Sequence, residues 1–162
     1  MTKDVERGVA LGRVEQPPKP GADHKRLEVL IGKWINEGQT IASADAPSVK
    51  ILTSDIYEWM PGRFFVLHIA YGRIGNIDVG GTEIIGYDAA SKKYRSHFFD
   101  SQGNISTDDL AVQGDTWMWT GERTRTTAVF TDNGKTQTAR HERLDDSGNW
   151  VPSMDVTLTK VE

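Results

Sequence analysis

At Gly32-Lys33-Trp34 a short helix pattern gives way to a strand pattern, and this change is the main indication of the fold. Asp23 can cap the helix that precedes it, and three apolar residues fall on one helical face: Leu27, Leu30 and Ile31. Glycine suits the left-handed turn at a helix end, and tryptophan offers a large apolar body with one polar N–H. We therefore predict that Trp34 and the helix together plug the foot of a β-barrel.

Beyond Trp34 the apolar residues recur every second position, which is the period of a strand. The pattern predicts strands over 33–42, 50–59, 64–71, 81–87, 94–100, 105–113, 116–122, 125–131, 136–144 and 150–161. Short segments rich in Gly, Asn and Asp separate them, as in antiparallel hairpins. We expect an all-β fold: a closed antiparallel up-and-down β-barrel of about ten strands with a short N-terminal helix. A β-sandwich is the competing architecture.

Two segments stand apart from this pattern. Residues 1–21 end in Pro17-Pro18-Lys19-Pro20-Gly21, which can neither continue a helix nor occupy a central strand, so we predict a flexible leader. The barrel domain then spans residues 22–162. Residues 72–81 are rich in glycine and form either a mobile flap over the barrel mouth or a plain hairpin connection.

Composition narrows the classes of partner. The 162 residues carry a net charge of −4 with mixed signs, which favours neither nucleic acid nor an anionic membrane. The absence of cysteine excludes disulfides, thiol nucleophiles and thiolate metal sites. No stretch approaches the roughly 18 apolar residues of a membrane helix, and no signal peptide is visible at the N-terminus. We expect a cytoplasmic protein with neither a nucleic-acid partner nor a membrane partner.

Four motifs carry a resemblance to a known family: residues 24–34, Gly62-Arg63-Phe64-Phe65, Gly86-Tyr87-Asp88, and Tyr94 with Phe98-Phe99-Asp100-Ser101-Gln102-Gly103. The chain resembles a lipocalin-like family of short bacterial proteins of unknown function, in the calycin group that also contains nitrobindin-type barrels. The resemblance covers most of residues 24–162. It implies a barrel with a hydrophobic cavity and brings no catalytic residues.

The resemblance also bears on haem. Nitrobindin-like barrels hold haem through a histidine near the C-terminal end of the chain. The last histidine here is His141, and residues 150–162 contain none. We therefore expect no haem and no other cofactor.

Three of the four histidines, His68, His97 and His141, fall in predicted strands. They could converge on a metal, but their spacing shows no local ligand signature, so we expect no metal site. A single internal histidine that orients a polar ligand or exchanges a proton is the favoured interpretation. We favour His68 and His97, because apolar residues share their strand faces. Burial there should lower the imidazole pKa below its usual value of about 6.5.

Aromatic residues supply the rest of the expected site. A barrel of about ten strands is wider than side chains alone can fill, so internal volume is expected. Charged strand residues such as Asp55 and Arg140 are expected to face solvent, whereas an internal Glu83 would require a partner. The predicted ligand-binding residues are Tyr57, Phe64, His68, Glu83, His97, Phe99 and Trp119.

Three functions are compatible with these residues. The favoured one is binding of a small, mainly apolar molecule in the lumen. The second is an enzyme of the isomerase, lyase or cyclase type that uses an internal His or Glu. The third is a filled barrel that acts as a structural or interaction module, with an outward pair of Trp117 and Trp119 forming a homodimer contact.

Overall fold

Ten antiparallel strands close into a barrel in this computed structural model, which describes residues 16–162. The strands are β1 (Gly32–Thr40), β2 (Lys50–Trp59), β3 (Phe65–Ile74), β4 (Ile77–Asp88), β5 (Lys93–Asp100), β6 (Ile105–Gln113), β7 (Thr116–Thr120), β8 (Thr124–Thr131), β9 (Thr136–Leu144) and β10 (Trp150–Lys160). Each strand pairs with its sequence neighbours, and β1 also pairs with β10. The predicted up-and-down barrel is therefore confirmed, and the sandwich is excluded.

The glycine-rich segment 72–81 is part of the sheet. β3 and β4 pair continuously from Phe65 opposite Gly86 to Ile74 opposite Ile77, and only two residues connect them. The first of these, Gly75, has φ +61°, as the first position of a type II′ hairpin turn requires. Of the two alternatives, the structure thus shows the hairpin connection, and it is shorter than the predicted segment.

The N-terminal helical segment covers one end of the barrel. It consists of α1 (Ala22–Lys25) and a 3₁₀ turn over Arg26–Leu30. Gly21 occupies the N-cap position, so the predicted cap at Asp23 was wrong. Gly32 belongs to β1 instead of ending the helix, and its φ of +133° brings its backbone against the carbonyl of Glu162, which a Cβ atom would approach to 2.4 Å.

Trp34 forms the centre of the barrel floor. Its side chain is 1% exposed, and its indole N–H donates a hydrogen bond of 2.8 Å to the carbonyl oxygen of Leu30. Leu27 and Leu30 are fully buried in the same cluster, and the ring of Phe130 meets the indole edge-on at 6.2 Å. The predicted plug is confirmed in its essentials, and it leaves the opposite end of the barrel uncovered by the helix.

The N-terminal boundary stays a prediction. Most of the leader, residues 1–15, lies outside the described residues, and residues 16–21 have no regular secondary structure. The division into a leader of residues 1–21 and a barrel domain of residues 22–162 is therefore still an expectation. Within residues 16–162, no helix is both long enough and apolar enough to cross a membrane.

Candidate ligand-binding site

The barrel is hollow above its floor. A cavity of about 500 Å³ begins above the aromatic floor and extends to exposed residues of the β5–β6 turn, such as Gln102. Its lining mixes apolar and polar groups: Ile51, Tyr57, Phe98, Trp119 and Met154 beside Asp55, His68, Glu83, Asp108, Gln137 and His141. A volume of this size falls within the usual range of small-molecule pockets, roughly 300–1,000 Å³. This cavity rules out a completely filled barrel.

A buried histidine between two carboxylates is the main polar feature of the cavity. Nε2 of His68 lies 2.9 Å from Oδ2 of Asp55, and its Nδ1 lies 3.0 Å from Oε1 of Glu83. The ring of Tyr57 stacks on the imidazole at 3.9 Å with an interplanar angle of 7°. These residues come from β2, β3 and β4, and the pairing of Tyr57 with His68 and of His68 with Glu83 explains how they meet.

The two carboxylates set the charge of this histidine. Burial alone would lower the pKa of His68, but its hydrogen bonds to Asp55 and Glu83 outweigh that effect and raise the pKa to about 9. His68 is therefore an imidazolium at pH 7, and both of its N–H groups donate to carboxylates. The expectation of a lowered pKa was wrong, because sequence periodicity did not place the carboxylates beside the ring.

Asp108 is a further internal carboxylate. It lines the cavity from β6, and no salt bridge reaches it from any residue that the structure describes. Its Oδ1 atom is buried without a hydrogen-bond partner among those residues. Burial and the nearby charges of Glu83 and Asp109 raise the pKa of Asp108 to about 6. Its carboxyl group thus changes protonation just below neutral pH.

His141 supplies a second, different imidazole. It lies on the inner face of β9 and shares a hydrogen bond of 2.8 Å between its Nδ1 and Oγ1 of Thr126. Burial lowers the pKa of His141, so the ring is neutral at pH 7. Its strand neighbours Arg140 and Glu142 point outward, where they pair with Asp155 and Arg125. Strand parity thus brings the histidine, and not the Arg/Glu pair, into the lumen.

Four of the seven predicted site residues line the cavity: Tyr57, His68, Glu83 and Trp119. Two of the others point outward. His97 is exposed and bonds to Thr107 on the outer surface, and Phe99 is 46% exposed. On β5 the inner face carries Phe98, whose ring covers Gly81. The face of β5 that was predicted to be internal is therefore the outer one.

Phe64 is also outside the cavity. It precedes β3, and its ring meets the His24 ring edge-on at 5.0 Å, beside the helical segment that covers the floor. The placement of Phe64 in the lumen was therefore wrong, because Phe64 lies at the end of the barrel that the helical segment covers. Whether the four residues in the cavity bind a ligand stays a prediction.

Sequence reasoning missed several internal polar residues, among them Asp55, Asp108, Gln137 and His141. Asp55 shares strand parity with Ile51 and Tyr57, and Asp108 shares it with Leu110, so the apolar neighbours at i±2 were the available signal. The general rule that carboxylates face solvent predicted the opposite orientation. The rule fails at Asp55 because this carboxylate is paired with the cationic His68 inside the lumen.

The outer wall also has a concavity, of about 790 Å³, between β1, β8, β9 and β10. Its lining includes the salt bridge between Arg140 and Asp155, at 2.7 Å, and Glu142, which pairs with Arg125. These charged groups already neutralise each other on an exposed surface. The lumen, with its buried charges and unpaired atoms, is therefore the better candidate site.

Comparison with known proteins assigns a family and a fold. A family model described as "Protein of unknown function (DUF1579)" matches residues 19–160. The solved structure of Rv2717c from M. tuberculosis is similar with a TM-score of 0.64 at 10% identity, over 88% of this chain and 99% of that one. The S-type phycobiliprotein lyase CPES from Guillardia theta gives a TM-score of 0.63 at 10% identity, over 88% and 94%. No curated protein matches the sequence significantly.

Proposed function

Since this chain belongs to DUF1579, a family of unknown function, we propose from the geometry of its lumen that it binds a small molecule there. The carrying observation is the hollow barrel of about 500 Å³, in which apolar side chains and a few convergent polar groups meet. Trp119, Phe98 and Met154 provide contact area for an apolar body. The polar array of Asp55, His68 and Glu83 orients the ligand.

The similarity to the phycobiliprotein lyase supports only the barrel fold, because the identity is 10%. The proposal therefore rests on the lumen of this chain. We also propose that the ligand is mainly apolar, that the protein contains neither a metal nor a cofactor, and that it is cytoplasmic.

The expected homodimer also stays a proposal. Trp117 and Trp119 face inward, so its support is now an outer row of cross-strand neighbours: Ile56, Ile69, Thr82, Phe99 and Ile105.

Blocking the lumen tests the proposal. Ala70 lines the cavity near the middle of β3, and its neighbour Ile69 points outward with 40% of its surface exposed. We expect Ala70→Trp to weaken binding of 1-naphthalenemethanol at least tenfold in calorimetric titrations, because the indole occupies the ligand volume. The matched variant Ile69→Trp should bind as wild type does. Equal affinities of the two variants, or no binding to wild type, would contradict the proposal.

An enzyme on the same cavity is the second candidate. The observation that favours it is the presence of a neutral imidazole, His141, which can accept a proton, and of Asp108, whose pKa is raised to about 6. Both line the lumen. Turnover of a bound compound that is lost in His141→Gln would distinguish catalysis from simple binding.

A further inference from the structure

The lumen has a marked excess of acidic groups. Its lining includes Asp55, Glu83 and Asp108, with Asp100 at the mouth, and within residues 16–162 neither lysine nor arginine contributes to it. Among these described lining residues, His68 is the one group held in a cationic form, and it is already bonded to Asp55 and Glu83. One positive charge therefore faces three internal carboxylates. An anionic ligand such as a fatty acid would meet net repulsion in a site of low polarity.

The carboxylates differ in how fully they are already bonded. Asp55 accepts from His68 with one oxygen and from the Thr53 hydroxyl, at 2.7 Å, with the other. Glu83 accepts from His68 through Oε1. Asp108 forms no salt bridge with any residue in 16–162. Glu83 and Asp108 thus hold the acceptor capacity that the surrounding protein leaves unused.

These two carboxylates lie on the same wall of the lumen. Glu83 on β4 is opposite Phe98 on β5, and Phe98 is opposite Ser106 on β6, two residues from Asp108. The two backbones stand two strand spacings apart, roughly 10 Å, and both side chains point into the lumen. Phe98, on the intervening strand, also lines the cavity, where its ring offers an aromatic face to a cation.

A second observation indicates that this polar array is incomplete without a ligand. Gln137 lines the same cavity at 4% exposure, and its Nε2 has no hydrogen-bond partner among the described residues. Buried amides are rarely left unpaired, since doing so costs about 1–3 kcal/mol. A ligand that carries an oxygen acceptor in addition to its cationic group would satisfy Gln137 as well as the two carboxylates.

We propose that the natural ligand is an organic cation, a protonated amine or amidine on an apolar body, whose charged N–H groups bind Glu83 and Asp108. The inference rests on the proposed ligand-binding function and names its ligand class. A metal ion fits less well, because no three His, Asp or Glu side chains in residues 16–162 are arranged to hold one. A cavity of about 500 Å³ with apolar walls also exceeds the needs of an ion.

Three probes with one ring system test the charge preference. They are 1-naphthylmethylamine, 1-naphthalenemethanol and 1-naphthoic acid, which at pH 7.5 are cationic, neutral and anionic. Calorimetric titration of the wild-type protein should show the amine binding at least tenfold more tightly than the alcohol, and the acid most weakly. A preference for the acid, or equal affinities for all three probes, would overturn this inference while leaving lumen binding intact. No binding of any probe would overturn both proposals.

Adjacent aspartates provide a matched pair of variants. Asp108 points into the lumen, whereas Asp109 points outward and pairs with Arg95 at 3.0 Å. Asp108→Asn should reduce the amine affinity about tenfold and leave the alcohol affinity unchanged. Asp109→Asn removes the same net charge and should change neither. Equal losses of amine affinity in both variants would show that general attraction to an acidic protein, and not the lumen, selects the cation.

Discussion

Replacing Trp34 by alanine should destabilise the barrel by about 3–5 kcal/mol, as the truncation of other large buried aromatic residues does. The indole is 1% exposed and packs between Leu30 and Phe130, so its removal leaves a cavity at the floor. It also removes the indole N–H that donates a hydrogen bond to the carbonyl oxygen of Leu30. The free energy of unfolding from urea titrations measures this loss.

A second tryptophan serves as the control for this experiment. Trp150 is only partly buried and lies under the guanidinium of Arg125, 4.7 Å from its ring. Trp150→Ala should cost about 1 kcal/mol, as the loss of a surface cation–π contact implies. If Trp34→Ala costs no more than Trp150→Ala, the indole at the floor does not hold the helix against the barrel.

Replacing His68 should have an effect of similar size, for an electrostatic reason. In His68→Gln, the carboxylates of Asp55 and Glu83 stay buried without their cation. Breaking a buried charge pair in this way costs roughly 3–5 kcal/mol. The outward-facing His97 supplies the matched control, because His97→Gln removes only an exposed hydrogen bond to Thr107. Equal unfolding free energies for the two variants would contradict the account of the internal charges.

The pH dependence of stability also tests whether His68 is held as a buried cation. The pKa of His68 is raised to about 9 in the folded state, against about 6.5 in the unfolded chain. Its contribution is therefore complete below pH 6.5 and is lost as the pH rises through 9. That loss amounts to about 3 kcal/mol. Wild type should lose this stability between pH 6.5 and 9.5, whereas His68→Gln should not. Parallel curves for the two proteins would show that the imidazole is not held as a cation.

The sequence predicted the barrel and its floor well, because both depend on simple periodicity. The shift from helical spacing at Leu27 and Leu30 to strand alternation after Trp34 located the floor. Turns rich in Gly, Asn and Asp separated ten strands with boundaries that differ by at most four residues from the observed ones. Backbone conformation at a turn is a local property, so a single sequence contains enough information to place it.

The lumen was predicted only in part, because strand parity is a property of the whole barrel. β5 carries Phe98 and Phe99 on opposite faces, so composition does not indicate which of the two is internal. Charged residues added a further difficulty. Asp55 and Asp108 both resemble solvent-facing residues in sequence, and the internal position of Asp55 becomes intelligible only beside His68. A polar lumen thus breaks the apolar-inside pattern on which sequence reasoning depends.

NMR can locate a bound neutral probe and so show whether the lumen is the ligand site. With 1-naphthalenemethanol bound, we expect intermolecular NOEs from the probe to the lumen side chains of Trp119 and Met154. No NOEs are expected to Tyr71 or Phe99, which are exposed on the outer wall. NOEs confined to the outer residues would place the probe on the barrel surface and contradict the claim.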